Sequence, residues 1–277
     1  MKPLPVTAGS CSGSQFSPHA NARRRAAPSC AVIALRLLLL ALVALSLLTG
    51  IAGGLLRAGI TVPGTANASW LGHAALAHAA LMISGFLGTV IGIERAVAIK
   101  LRAAFVAPLA SSLGGLCLLL GQTVPGAWLG VVAAAAFMGA NIVVVQRQPA
   151  AHTWLLLAGA GAWLTGNLLF AIGYGSVEVL PWWFAFLVMT IAAERLEMTR
   201  LMRRHPAAQG SLYAVLSALL LGAGLSALSP VAGGVLYGAA LVLLAVWLGL
   251  FDIARRTVLA HGLSRYMAVC LLGGYAW

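Results

Sequence analysis

Apolar residues run along nearly the whole chain in blocks of about 20, and charged residues fall in the gaps between blocks. Blocks of that length predict membrane-spanning helices over 31–52, 70–97, 103–121, 126–145, 151–173, 181–198, 211–228 and 231–251. A ninth begins near residue 262 and is still apolar at Trp277. Residues 1–30 are rich in Ser, Pro, Ala and Arg, lack apolar periodicity, and read as a disordered cytoplasmic tail. Arg23, Arg24 and Arg25 before an apolar run have the outline of a signal sequence. The run over 31–51 is too long for that, so a retained first helix is expected. The predicted fold class is all-α, a polytopic transmembrane bundle of eight complete spans and a partial ninth.

The second block, 70–102, is read as one long helix, and its last part recurs. SGFLGTVIGIERAVAIKL at 84–101 aligns without gaps with FAFLVMTIAAERLEMTRL at 184–201. Phe86 and Phe186, Leu87 and Leu187, Ile91 and Ile191, Glu94 and Glu194, Arg95 and Arg195, and Leu101 and Leu201 coincide. The two helices lie four spans apart and share an orientation, which predicts parallel four-helix repeats over 31–150 and 151–258. Residues 259–277 would then open a third unit. The expectation is a truncated chain; a short ninth helix, or a last segment lying in the interface, is the alternative.

Composition sharpens this picture. The chain is 61% hydrophobic and 8% charged, whereas a soluble domain carries about 25% charged residues. Lipid must therefore act as its solvent. The net charge of +12 would suggest nucleic acid in a soluble protein. Here topology accounts for it. With a cytoplasmic N-terminus and one crossing per span, all 17 Lys and Arg except Arg57 fall on the cytoplasmic side. That places the protein in a bacterial inner membrane, with the bilayer as its partner and no nucleic acid. The four cysteines show no CxxC spacing, so neither a disulfide framework nor a zinc site is inferred.

Candidate chemistry is sparse. His73 and His78 lie in the outer part of the second span, where ionisable residues are rare and usually functional. Five residues apart on an ideal helix, they point about 140° apart and cannot share one ligand. His78, Met82 and Gly85 share a face, and Gly88 and Gly92 extend a small-residue groove beside it. Imidazole is a haem axial ligand, and a glycine groove lets a flat macrocycle approach the backbone. The alternative is a histidine hydrogen-bonded to another helix, with glycines serving helix packing. Glu94 with Arg95, and Glu194 with Arg195, face apart within each pair. They predict cross-pairing between the helices, joined by Asp252 with Arg255 or Arg256. That layer either fixes helix register or admits protons. Trp70, Trp182 and Trp183 read as an aromatic belt. His152, His205 and His261 read as loop or anchor residues. No Walker, Rossmann, HExxH or GxSxG pattern occurs, and no catalytic residue is assigned.

The stretch His78-Ala-Ala-Leu-Met82-Ile-Ser-Gly-Phe-Leu-Gly resembles the histidine-bearing second helix of NnrS-type bacterial membrane proteins. The closing segments GLSRYMA at 262–268 and LLGGYAW at 271–277 are also similar to that family. The resemblance implies association with haem and copper and protection from nitrosative stress. More distantly, the helix resembles the haem-ligating second helix of haem–copper oxidase catalytic subunits, whose twelve spans form three four-helix arcs. The sixth and seventh spans here contain no histidine, so the oxidase copper site does not carry over. The oxidase family's opposing haem ligand lies on a tenth helix, beyond the spans of this chain. Only His78 carries over, as an axial ligand.

The leading expectation is therefore an NnrS-like membrane protein binding haem or a metal through His78, with His73 the secondary metal candidate and copper ranked behind haem. Rival expectations are a secondary transporter of a small solute, with parallel repeats, and a non-catalytic assembly subunit. A homo-oligomer or a partner membrane subunit is the protein partner expected.

Overall fold

A computed structural model describes residues 30–60, 68–198 and 206–276 of the chain. The predicted tail therefore lies outside the described residues except at Cys30. So do Arg200, Arg203, Arg204 and His205. The described residues form helices and no strand. Among the described residues, eight helices are long and apolar enough to cross a membrane, as the block pattern predicts.

The first of these, α1 (Cys30–Arg57), presents leucines such as Leu37, Leu40 and Leu48 outward, each more than 60% exposed. Its opposite face carries Ser46, Gly50 and Gly54 at four-residue spacing, which brings a stripe of small residues to the second span. The contact is close. A Cβ on Gly53 would overlap the backbone carbonyl of Ala74.

The second span departs from the expected single α-helix. It consists of α2 (Ser69–Leu76), a short α3 (His78–Ala80), a π-helical stretch over Leu81–Gly88, and α4 (Thr89–Ile99). Ala77 breaks the span between α2 and α3, with φ −94° and ψ 13°. π-helical turns are rare and often sit at functional sites. Here the wide turns place Gly88 beneath the indole of Trp163, where a Cβ would lie 2.5 Å from the ring. They also aim the Ser84 carbonyl at the Ser111 hydroxyl, which donates to it at 2.6 Å.

A short 3-10 turn (Arg102–Phe105) leads to α5 (Val106–Leu119), followed by α6 (Thr123–Arg147), α7 (Ala151–Ala171) and α8 (Ser176–Met198). Each packs along the next. Their shared core is aromatic. Trp163 stacks on Phe186 at 4.9 Å, and Phe137 meets both rings edge-on. Next come α9 (Pro206–Leu225) and α10 (Pro230–Phe251), which cross where a Cβ on Gly222 would lie 2.7 Å from the Tyr237 nitrogen. A turn, α11 (Ala254–Thr257), precedes α12 (Leu263–Ala276). With 14 residues, α12 reaches about 21 Å, short of the roughly 30 Å hydrocarbon core. It occupies the place of the expected ninth span. Large apolar side chains such as Leu221 and Val231 stay exposed on the bundle's outside, the arrangement expected when lipid is the solvent.

Candidate functional site

The broken second span opens one wall of a cavity of about 510 Å³ between it and the facing ends of α7 and α8. Ala80, Ile83, Phe170, Val179 and Phe184 make its walls apolar. Pockets for small molecules commonly hold about 300–1,000 Å³ and carry a few placed polar groups. Here those groups are His78 and Trp183, with Arg57 and Tyr174 at the exposed rim.

His78 is half-buried, and its ring lies against the small-residue stripe of α1. A Cβ on Gly54 would come within 2.7 Å of His78 Cε1. Nδ1 donates to the Gly50 carbonyl at 2.8 Å. A carbonyl can only accept, so this bond makes Nδ1 the donor, and in the neutral ring the lone pair is then on Nε2. Histidines that ligate metals are oriented by such a bond from the other nitrogen. Met82 lies one turn further along the same face. A Cβ on Gly50 would meet its sulfur at 2.7 Å. Both residues line the cavity.

Gly85 shares the face toward α1 but not the cavity. It is buried against Ser46 and Gly115, so the space expected beside it for a flat ring is filled by helix packing. Gly88 and Gly92 likewise receive Trp163 and Pro108. His73 points elsewhere. Its Nδ1 donates to the Leu119 carbonyl at 3.2 Å, at the end of α5. The two histidines of the second span therefore bond to different helices, on either side of the break at Ala77. Among the described residues, no three His, Cys, Asp or Glu side chains gather as metal ligands. A copper ion on this wall would find His78 and Met82 alone.

A single haem places fewer demands on the protein. It needs one imidazole with a free lone pair, an apolar enclosure, and room beside the ligand. His78 borders such an apolar cavity, with its ring laid against α1 and Nε2 3.4 Å from where a Cβ on Gly54 would stand.

Below the cavity lies a buried polar seam that periodicity did not reveal. Trp163 Nε1 donates to Ser84 Oγ at 3.2 Å, and Ser84 Oγ donates to Asn167 Oδ1 at 3.4 Å. Trp183, expected in an outer aromatic belt, is instead buried at 2% exposure and packs edge-on against Phe170. It lines both the large cavity and a void of about 10 Å³ beside Ser84 and Asn167. Its indole N–H finds no acceptor among the described residues.

At the opposite end of the bundle, the two Glu-Arg pairs come together. Arg95 lies within electrostatic reach of Glu94, Glu194 and Glu197. Glu94 itself is exposed, whereas Arg95, Glu194 and Arg195 are half-buried. Asp252 does not join them through Arg255 or Arg256. It is buried and accepts from the Ile253 N–H at 2.8 Å and from the Tyr275 hydroxyl at 2.7 Å, tying α12 to the end of α10. The partner lies 23 residues away, where local spacing gives no sign of it. His152, expected as a loop or anchor residue, is buried at the start of α7. It lines a cavity of about 250 Å³ with Arg95, Arg147 and Glu197.

No curated protein and no solved structure matches this chain. Its match to a family spans residues 36–277, which include His78, the cavity and both Glu-Arg pairs, and the chain belongs to that family, described as Domain of unknown function (DUF8744).

Proposed function

We propose that this is an inner-membrane protein of the NnrS-like class that binds haem through His78, in a role linked to nitrosative or redox stress. One observation carries the reading: an imidazole oriented by the Gly50 carbonyl at 2.8 Å belongs to a residue that lines a cavity of about 510 Å³. His78 would hold the group and Met82 would pack beside it. Haem bound there would supply iron-centred redox or gas-ligand chemistry. The chain's own residues do the rest. Gly50 fixes the tautomer and ring direction, and the apolar wall from Phe170 to Phe184 excludes water. The absorption spectrum of the purified protein tests the reading. A Soret band is expected in protein expressed with adequate haem; its absence after haemin is added would end the proposal.

In this reading the N-terminus is cytoplasmic, and the cavity opens toward the outer side. The distribution of basic residues supports that orientation, since Arg57 alone among them falls outside. A reporter inserted after Arg57 should behave as periplasmic and one inserted at Arg203 as cytoplasmic. The reverse pattern at either site would overturn the orientation.

A second reading, a transporter of a small solute, draws on a separate observation. The second span is broken at Ala77 and wound as a π-helix through Ser84, beside the Asn167 seam. Discontinuous helices near the midplane often form transport sites. Solute accumulation in vesicles containing the protein, without a Soret band, would favour this reading over haem binding.

A further inference from the structure

We infer that the cavity beside His78 selects an amphipathic anion, and that Arg57 is the positioning residue for its carboxylate end. The inference rests on the cavity being a ligand site and extends that reading to the chemistry of the ligand.

Two observations converge on Arg57. The first is its place in the charge pattern. In the topology proposed above, every other Lys or Arg is assigned to the opposite membrane face. A cation at the end of α1 also suits that helix's C-terminal dipole. The dipole explains a positive residue there, but not its position on a cavity rim. The second observation is that position. Among the described residues lining the cavity, Arg57 is the one permanently charged side chain. Its Nη1 makes a long bond of 3.4 Å to the Ala75 carbonyl, just before the break at Ala77. That bond directs the guanidinium across the outer end of the second span. Most of its five donors stay available.

The cavity thus has one cationic corner at its exposed rim and apolar walls below. The acidic residue at that end of α8, Glu178, is not among the lining residues, although its Oε2 stands 3.1 Å from where a Cβ on the lining residue Gly175 would be. A ligand that fits both parts carries an apolar body and an acidic end. Arg binds carboxylates bidentately, which fixes direction as well as affinity. The body would then extend inward along His78, toward Phe170 and Trp183. A porphyrin with acidic side chains on one edge has this character, and so does a long-chain fatty acid.

The test uses iron-free protoporphyrin IX and its dimethyl ester, so that binding does not depend on ligation by His78. Fluorescence titrations of the full-length protein in detergent would be compared for the wild type and Arg57→Gln. The wild type should bind the free acid about ten-fold or more tightly than the ester, the range of a charge-assisted hydrogen bond. Arg57→Gln should lose that preference while binding the ester as the wild type does. Thermal unfolding of the variant should match the wild type, since the side chain is exposed. Displacement of the porphyrin by oleate, with the same dependence on Arg57, would extend the class to fatty acids; failure of oleate to displace it would confine the class to porphyrin acids. Equal affinity for acid and ester in the wild type would overturn the inference, as would an acid preference that survives in Arg57→Gln. A haem spectrum that depends on His78 would still stand in either case. If neither porphyrin nor haemin binds, the cavity is not a site of this kind and both readings fall.

Discussion

Trp163→Ala should lower the stability of the purified protein by about 3–5 kcal/mol. The indole is fully buried, stacks on Phe186 at 4.9 Å, meets Phe137 edge-on and lies over Gly88. Its Nε1 also donates to Ser84. In lipid, transferring a side chain out of the core gains little, because the surroundings are as apolar as the core. The loss comes instead from the void left among rigid neighbours and from the broken bond to Ser84. Denaturant titration in mixed micelles, read by helicity, measures it. Trp154→Ala serves as the control, since Trp154 is 57% exposed and surface changes usually stay within about 0.5 kcal/mol. Equal effects from the two substitutions would refute the assignment of Trp163 to the core.

Gly53→Val should be nearly as damaging, costing about 3 kcal/mol at the upper end of overpacking effects. Its new Cβ would meet the Ala74 carbonyl, which is backbone and cannot rotate away. Relief requires α1 to move off the second span. That motion would also pull Gly50 from His78, so the variant should lose ligand binding together with stability. Gly72→Val gives the contrast, because a Cβ there meets nothing within 4 Å. The same denaturant titration checks both. A Gly53→Val protein as stable as Gly72→Val would mean that α1 does not pack in this register.

The spans were legible in the sequence because uncharged apolar runs of about 20 residues match the thickness of a bilayer and rarely occur in soluble folds. His78 was legible for a related reason, since an ionisable residue within such a run is costly without a role. The direction in which His78 points was not. The segment Ala74–Ala80 is mostly Ala and Leu, both good helix formers, so nothing local announces the break at Ala77. The π-helical turns belong to the tertiary contacts, with Trp163 lying on Gly88 and Ser111 bonded to the Ser84 carbonyl. Trp183 misled for a similar reason. Its place near a span end suits a lipid-facing belt, and only the rotation of α8 against α7 turns it inward. The Ser46, Gly50 and Gly54 stripe was not singled out in the sequence, because its role depends on the second span packed against it. Gly85 illustrates the converse: it was expected to leave room beside His78, yet Ser46 of α1 and Gly115 fill the space next to it.

The proposed function stands or falls with His78 Nε2 facing a ligand cavity and binding iron. Haemin titration of the wild type and His78→Ala, followed in the Soret region, tests this most directly. The wild type should take up one haemin per chain with a shifted, saturable band. The variant should show no such band while inserting and unfolding as the wild type does, because a single half-buried histidine adds little to an apolar bundle. A His78→Ala protein that binds haemin with an unchanged spectrum would contradict the assignment.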